Sequence, residues 1–239
     1  MNPTFMLGGE LEIRRLGFGA MRIVDDRANG ARVLRRAVEL GVNFIDTADI
    51  YGAGRSEEII AEALHPYPGG LVITTKGGLG WGLQDRIRDG RPEHLREACD
   101  ASLRRLKLDR IDLYQLHRHD PEVPIEESIG TLVELQQEGK IRMIGVSNFS
   151  LSQLRQAQAV TTIVSVQNQY NRGLLTSEDV LGACEAEGIG FMPWAPLGEG
   201  LTRGSAYEVR WLLDRSPVMI PIPGTSSVEH LEETMQAVA

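Results

Sequence analysis

Three polar side chains close apolar runs of strand length: Asp46 ends NFID, Lys76 ends LVITTK and His117 ends DLYQLH. A lysine and a carboxylate in apolar surroundings are costly unless they pair or work, and perturbed groups of this kind gather at functional sites. Tyr51 follows Asp46 in ADIYGAG, a placement that also suits an aromatic packed under a turn. Together the four types offer acid–base chemistry at an oxygen. A tyrosine has an ordinary pKa near 10, and an adjacent ammonium favours its phenolate. Asp46 would keep that ammonium charged and oriented, and a neutral His117 would hold a carbonyl oxygen by a hydrogen bond. Such a group can reduce a carbonyl if a cofactor brings the hydride. Three other readings stay open on these residues. Asp46 and Lys76 could form a scaffold ion pair, and Lys76 could be a Schiff-base lysine. His117-Arg118-His119 could start a zinc site, which Lys76 would make electrostatically awkward.

These side chains need a scaffold that brings strand ends to one place. The strand-like runs are Leu16–Ala20, Asn43–Asp46, Leu71–Lys76, Ile111–His117, Arg142–Ser147, Val164–Asn168, Gly190–Trp194 and Val218–Ile222. Between and after them lie helix-like stretches: Ala31–Leu40, Ser56–His65, Pro92–Leu106, Ile125–Glu138, Leu151–Ala159, Glu178–Glu187, Ala206–Asp214 and Val228–Val238. Pro92, Ser150, and Thr176 or Ser177 stand at helix starts, and Gly41, Gly139 and Gly188 stand at helix ends. The strand-like runs are apolar throughout, as in a parallel sheet covered by helices. Eight βα units in series predict an α/β chain folded as one TIM (β/α)8 barrel over residues 1–239. An N-terminal β-hairpin, Thr4–Leu7 and Leu11–Arg14 around Gly8-Gly9, is expected to plug its bottom. A doubly wound sheet fits less well, because Gly17-Phe18-Gly19 begins a GxGxxG pattern that Arg22 breaks. Barrels of this kind build their sites at the C-terminal strand ends. There the sequence delivers Asp46, Lys76, His117, Ser147-Asn148, Gln167-Asn168 and Trp194.

Composition narrows the partners. The 239 residues carry a formal charge of −8, whereas a nucleic-acid binder needs a basic surface. Only Cys99 and Cys184 occur, far apart, so a disulfide framework is excluded and a cytoplasmic location is expected. No stretch approaches the roughly 18 apolar residues of a membrane span, so no membrane partner is expected.

The chain as a whole resembles the aldo-keto reductase superfamily, in particular bacterial generic aldo/keto oxidoreductases and pyridoxal reductases. The matching stretches are LGFGAMR, GVNFIDTADIYG, TTKGG, RIDLYQLHR, GKIRMIGVSNFS, VQNQYN, PWAPLG and IPIPGTSSVEHLEE, in the family's order over nearly the whole chain. The resemblance implies NAD(P)H-dependent reduction of an aldehyde or ketone to an alcohol by hydride transfer. It implies a catalytic tetrad of Asp46, Tyr51, Lys76 and His117, with Tyr51 the general acid. Ser147, Asn148 and Gln167 would hold the nicotinamide carboxamide and Trp194 would stack on its ring. Pro196, Leu197, Gly198 and Ile222 would line the cofactor. Gly224, Thr225, Ser226, Ser227, His230 and Glu233 would take its adenosine ribose phosphate end. No metal is implied, and the protein is expected as a monomer or weak homo-oligomer acting on a small-molecule carbonyl. Met21, Trp81 and residues 119–122 point to an apolar or aromatic carbonyl, and the resemblance of LRRAVELGVNFIDTAD and SPVMIPIPGTSS to pyridoxal reductases makes pyridoxal a candidate. Some relatives of this fold are non-catalytic nicotinamide-binding regulatory subunits, and that is the alternative function.

The chain departs from the pattern at two places. Gly224 and His230 occupy positions where many relatives present Lys and Arg to the 2′-phosphate, and Thr234 replaces an Asn. Because 2′-phosphate recognition favours a fixed cation, the absence of that Lys and Arg admits NADH as the second choice, while the resemblance to a family that usually prefers NADPH keeps NADPH as the expected cofactor. The sequence is also short around Val24–Asp26, between Leu197 and Ser205, and after Ala239. Further residues are expected there, an expectation that an intact mass of 26.4 kDa would overturn.

Overall fold

The apolar runs do assemble into a curled parallel sheet. The computed structural model describes residues 3–81, 86–198 and 204–238. β1 (Thr4–Leu7) and β2 (Leu11–Arg14) pair antiparallel as the expected hairpin. The barrel strands are β3 (Phe18–Gly19), β4 (Phe44–Asp46), β5 (Val72–Gly77), β8 (Ile111–Leu116), β9 (Ile141–Ser147), β10 (Ser165–Gln169) and β11 (Gly190–Trp194). They form one sheet in the order β11-β10-β9-β8-β5-β4-β3. The helices are α1 (Arg27–Glu39), α2 (Arg55–Leu64), α3 (Pro92–Leu106), α4 (Ile125–Gln137), α5 (Leu151–Val160), α6 (Glu178–Glu187), α7 (Ser205–Arg215) and α8 (Val228–Met235). A second hairpin, β6 (Leu79–Trp81) with β7 (Arg86–Arg88), follows β5 and was not anticipated from the sequence.

Local chemistry sets the helix ends. Ser150 caps α5 with a full capping box, and Pro92 is the first residue of α3. Ser177 precedes α6 but makes no side-chain cap; Asn168 donates to its hydroxyl instead, at 3.4 Å.

Two predicted strands need correction. The first, Leu16–Ala20, is a strand only at Phe18–Gly19, and Ala20–Ile23 turns into a 3-10 helix. The last, Val218–Ile222, is no ladder strand and among the described residues makes one bridge, Met219 with Phe191. Pro221 and Pro223 have no N–H to donate, which breaks the ladder. The segment still closes the barrel through the bonds left to it. Phe191 N donates to Val218 O at 2.9 Å and Ile220 N to Phe191 O at 2.8 Å on one side. Gly17 N donates to Pro221 O at 3.0 Å and Gly19 N to Pro223 O at 3.1 Å on the other. The buried Arg15 guanidinium adds bonds to Met219 O and Leu213 O, at 3.1 and 2.8 Å.

Inside the barrel, alternate strand positions point to the axis, and their character changes with height. At the bottom Phe44, Val72, Leu113, Met143, Met192, Ile220 and Ile222 pack with Leu7 and Ile13 of the hairpin, which forms the expected plug. Two residues further along three of these strands come Asp46, Thr74 and Gln115, all buried. The sheet thus leads from an apolar floor to a polar layer beneath the C-terminal mouth. Among the described residues no helix is long and apolar enough to cross a membrane.

Candidate active site

Asp46 and Lys76 end neighbouring strands, β4 and β5, and so meet inside the mouth. Lys76 is fully buried, with Nζ donating to Asp46 Oδ2 at 2.8 Å and to the Thr47 carbonyl at 2.7 Å. It is also hydrogen-bonded to Tyr51. Burial by itself would lower the lysine, but the charge and hydrogen bonds of Asp46 and Tyr51 outweigh it and hold Lys76 above its ordinary value. The ammonium is therefore kept charged in a dry place.

Tyr51 reaches this pair because the chain after β4 winds tightly. Tyr51 N donates to Ala48 O at 3.1 Å and Ala53 N to Ile50 O at 3.2 Å. Gly52 turns there with φ +61°, a conformation glycine adopts at little cost. The tyrosine ring packs on Ala48, Ile50 and Leu79, so the unforeseen β6–β7 hairpin supports it from one side. His117 meets the ring edge-on, with centroids 5.9 Å apart and planes at 83°. The structure therefore gathers all four residues singled out in the sequence. Among the described residues no three His, Cys, Asp or Glu side chains converge as a metal site.

The rim on β9 to β11 is a connected set. Asn148 takes a left-handed backbone conformation, φ +60°, which asparagine tolerates better than most residues. Its Nδ2 donates to Ser147 Oγ at 2.9 Å and to the His117 carbonyl at 3.1 Å. Its Oδ1 accepts the Trp194 indole N–H at 3.0 Å, which fixes the indole at the strand end. Gln167 faces inward instead, its Nε2 donating to Asp46 Oδ1 at 2.8 Å. Asn168 braces the start of α5 through both backbone groups of Phe149.

The remaining residues assigned from the resemblance fall into two groups. Pro196 is buried, Leu197 packs near Leu16 and Val209, and Gly198 is exposed. Ile222 lies in the apolar floor. Thr225 Oγ1 accepts from Ser227 N at 3.0 Å, and Ser227 caps α8 by accepting from His230 N at 3.2 Å. Glu233 accepts from Ser205 N at 3.0 Å and Gly224 abuts Gly19. Ser226 O accepts from Asn29 Nδ2 at 2.6 Å, and Arg32 donates to Asn29 Oδ1 at 2.8 Å. Glu229 is held below its ordinary value, first by the Ser227 hydroxyl and further by Arg32 and His230. Arg32 thus adds a cation to this loop from α1, too far along the chain for local spacing to reveal. Met21 is half exposed on the 3-10 turn, whereas the Trp81 side chain and residues 199–203 lie outside the described residues.

Asp49 is a further acidic group beside the site. Its amide donates to Lys76 O at 3.2 Å, while its Oδ1 is buried without a hydrogen-bond partner among the described residues. Burial, then the nearby Glu57 carboxylate, push the Asp49 carboxyl up to about 7, with Arg105 and Lys76 opposing in part. The unfolded chain loses this proton near pH 4 and the folded protein only near 7, so folding stability falls as pH rises through that window and then levels off. Asp49→Asn is expected to raise Tm more at pH 8 than at pH 5. Parallel Tm–pH curves for the two proteins would refute the assignment.

The Aldo/keto reductase family model matches residues 15–209 of the chain. The chain belongs to the aldo/keto reductase family. An uncharacterized oxidoreductase of Schizosaccharomyces pombe is 41% identical over 254 aligned residues, covering 96% of this chain and 83% of that protein. Pyridoxine 4-dehydrogenase of Escherichia coli is 38% identical over 264 residues, covering 98% and 92%. Both alignments exceed the 239 residues present, so each relative has residues where this reductase has gaps. Among solved structures, the glycerol dehydrogenase of Gluconobacter oxydans superposes with TM-score 0.91 at 28% identity, covering 100% of this chain and 91% of that one. An aldo-keto reductase of Klebsiella pneumoniae, in complex with NADP and acetate, gives TM-score 0.85 at 25% identity, covering 99% and 90%. As a member of this family the protein is an oxidoreductase acting between carbonyl and alcohol, with NADP(H) as the family's cofactor.

Proposed function

We propose that this reductase converts an aromatic aldehyde, pyridoxal being the leading candidate, to its alcohol with Tyr51 as the proton donor. The observation that carries the reading is the fully buried Lys76 ammonium, bonded at once to Asp46, Thr47 O and Tyr51. When bound, the nicotinamide cofactor supplies the hydride to the carbonyl carbon. Tyr51 gives its phenolic proton to the carbonyl oxygen, and the Lys76 ammonium stabilises the negative charge left on the tyrosine oxygen. Asp46 pairs with the ammonium, so the buried group keeps its charge. His117, edge-on to Tyr51, holds the carbonyl oxygen within reach of the donor. Water then restores the tyrosine proton.

The residues present fit a dinucleotide. Trp194 offers a ring whose edge is fixed by Asn148, beside the Ser147 hydroxyl. Ser227 caps α8, and the amino end of that helix offers backbone N–H groups to a phosphate, with Arg32 and His230 beside the Glu229 carboxylate there. Arg32 takes over the cationic role that Gly224 and His230 leave weak, which favours NADPH over NADH.

Pyridoxal is supported by the E. coli relative named pyridoxine 4-dehydrogenase and by the aromatic character expected of the pocket. Trp194 fluorescence is expected to be quenched by NADPH at lower concentration than by NADH. NADPH oxidation is expected to be faster with pyridoxal and benzaldehyde than with small aliphatic aldehydes. Quenching by neither cofactor would overturn the site, and a preference for aliphatic aldehydes would overturn the substrate.

A further inference from the structure

Among the described residues two side chains of the polar layer under the mouth, Gln115 and Ser165, hold a buried polar atom without a hydrogen-bond partner, and Gln115 is the one bonded to Asp46. Gln115 is fully buried on β8, opposite Lys76 on one side and Gly145 on the other. Its Nε2 donates to Thr74 Oγ1 at 3.1 Å and, more weakly, to Asp46 Oδ1 at 3.4 Å. Its Oε1 has no hydrogen-bond partner among the described residues. The amide cannot simply turn over. A carboxylate only accepts, so an amide oxygen placed there would face Asp46 Oδ1 in repulsion. Gly145 makes the room: a Cβ there would come within 3.1 Å of Gln115 Cγ.

An unsatisfied buried carbonyl oxygen costs about 1–3 kcal/mol, a penalty that a leucine of similar volume would not carry. Buried polar groups left in this state call for an explanation other than stability. The explanation lies at Asp46. Gln167 and Gln115 both direct N–H groups at Oδ1, while Oδ2 receives the Lys76 ammonium. Two donors on one oxygen set the rotation of the carboxylate and leave a single oxygen for the lysine.

We propose that Gln115 is a positioning residue for proton transfer, acting with Gln167 to fix Asp46 so that Lys76 stays aimed at the Tyr51 oxygen. The proposal rests on the reading of Tyr51 as proton donor. Without Gln115 the carboxylate is free to rotate and engage the ammonium with both oxygens, drawing Nζ away from the tyrosine. The effect belongs to the chemical step, so it appears in kcat and not in KM.

Two variants and one control test it. Gln115→Leu is expected to lower kcat by about tenfold or more, with KM and NADPH affinity unchanged and Tm equal or higher. Gln115→Glu sets a second carboxyl against Asp46, so the pair shares a proton. Its kcat–pH profile is expected to gain an acid-side limb that wild type and Gln115→Leu lack. Wild-type kcat in Gln115→Leu, or a drop in Tm with kcat falling and KM rising together, would overturn the proposal. Tyr51→Phe separates the two levels. If that control keeps wild-type turnover, the reading of the site fails. If it is inactive while Gln115→Leu is normal, only the positioning role fails.

Discussion

Tyr51→Phe is expected to lose about 10²–10⁴-fold in kcat while binding NADPH as tightly as the wild type. The substitution removes one oxygen and little else. The ring keeps its packing on Ala48, Ile50 and Leu79, and its edge-on contact with His117 is one of ring on ring. Lys76 keeps Asp46 Oδ2 at 2.8 Å and Thr47 O at 2.7 Å, so its charge remains paired. Tm is therefore expected to move little, which makes the kinetic loss attributable to the missing proton. Steady-state rates with a fixed aldehyde and a Trp194 quenching titration decide the matter. A Phe variant with wild-type kcat would mean that water or His117 protonates the carbonyl oxygen. A variant that no longer binds NADPH would mean that Tyr51 belongs to the cofactor site.

How far the sequence announces this arrangement depends on the kind of signal. Asp46, Lys76 and His117 are legible because each ends an apolar run, and a barrel turns strand ends into neighbours. Tyr51 is not legible from spacing. Its place depends on two tight turns after β4 and on a ring contact with Leu79 from a hairpin that the glycine-rich LGWG stretch does not advertise. Gln115 hides inside DLYQLH, where it reads as one polar residue in an apolar run. Counting back by two from His117 puts it on the inward face with Leu113, and the same step from Lys76 gives Thr74. The eighth strand misleads for the opposite reason. VMIPIP is apolar enough for a strand, but alternate prolines leave it closing the barrel with few donors. Arg32 and Asn29 meet the Ser226 loop across almost the whole chain, and only closure of the barrel brings α1 to α8.

Lys76→Met is expected to lower the unfolding free energy by about 3–5 kcal/mol, the usual consequence of stranding one partner of a buried ion pair. Asp46 is 2% exposed, so it has no water to replace the ammonium. The amide N–H groups of Gln167 and Gln115 remain, but two neutral donors on Oδ1 do not balance a full charge. Adding Asp46→Asn removes that charge. The double variant Asp46→Asn/Lys76→Met is then expected to be more stable than Lys76→Met alone, a strongly non-additive pair of the kind seen when two groups touch. Its activity is not expected to return, because the Tyr51 oxygen no longer has a cation beside it. Denaturant curves for the wild type, Lys76→Met, Asp46→Asn and the double variant, with kcat measured on each that folds, separate the two roles of Lys76. If Lys76→Met unfolds like the wild type, Asp46 is not charged in the folded barrel, and stabilisation of the tyrosine oxygen must come from elsewhere. If the double variant recovers activity as well as stability, the lysine serves the scaffold and not the chemistry.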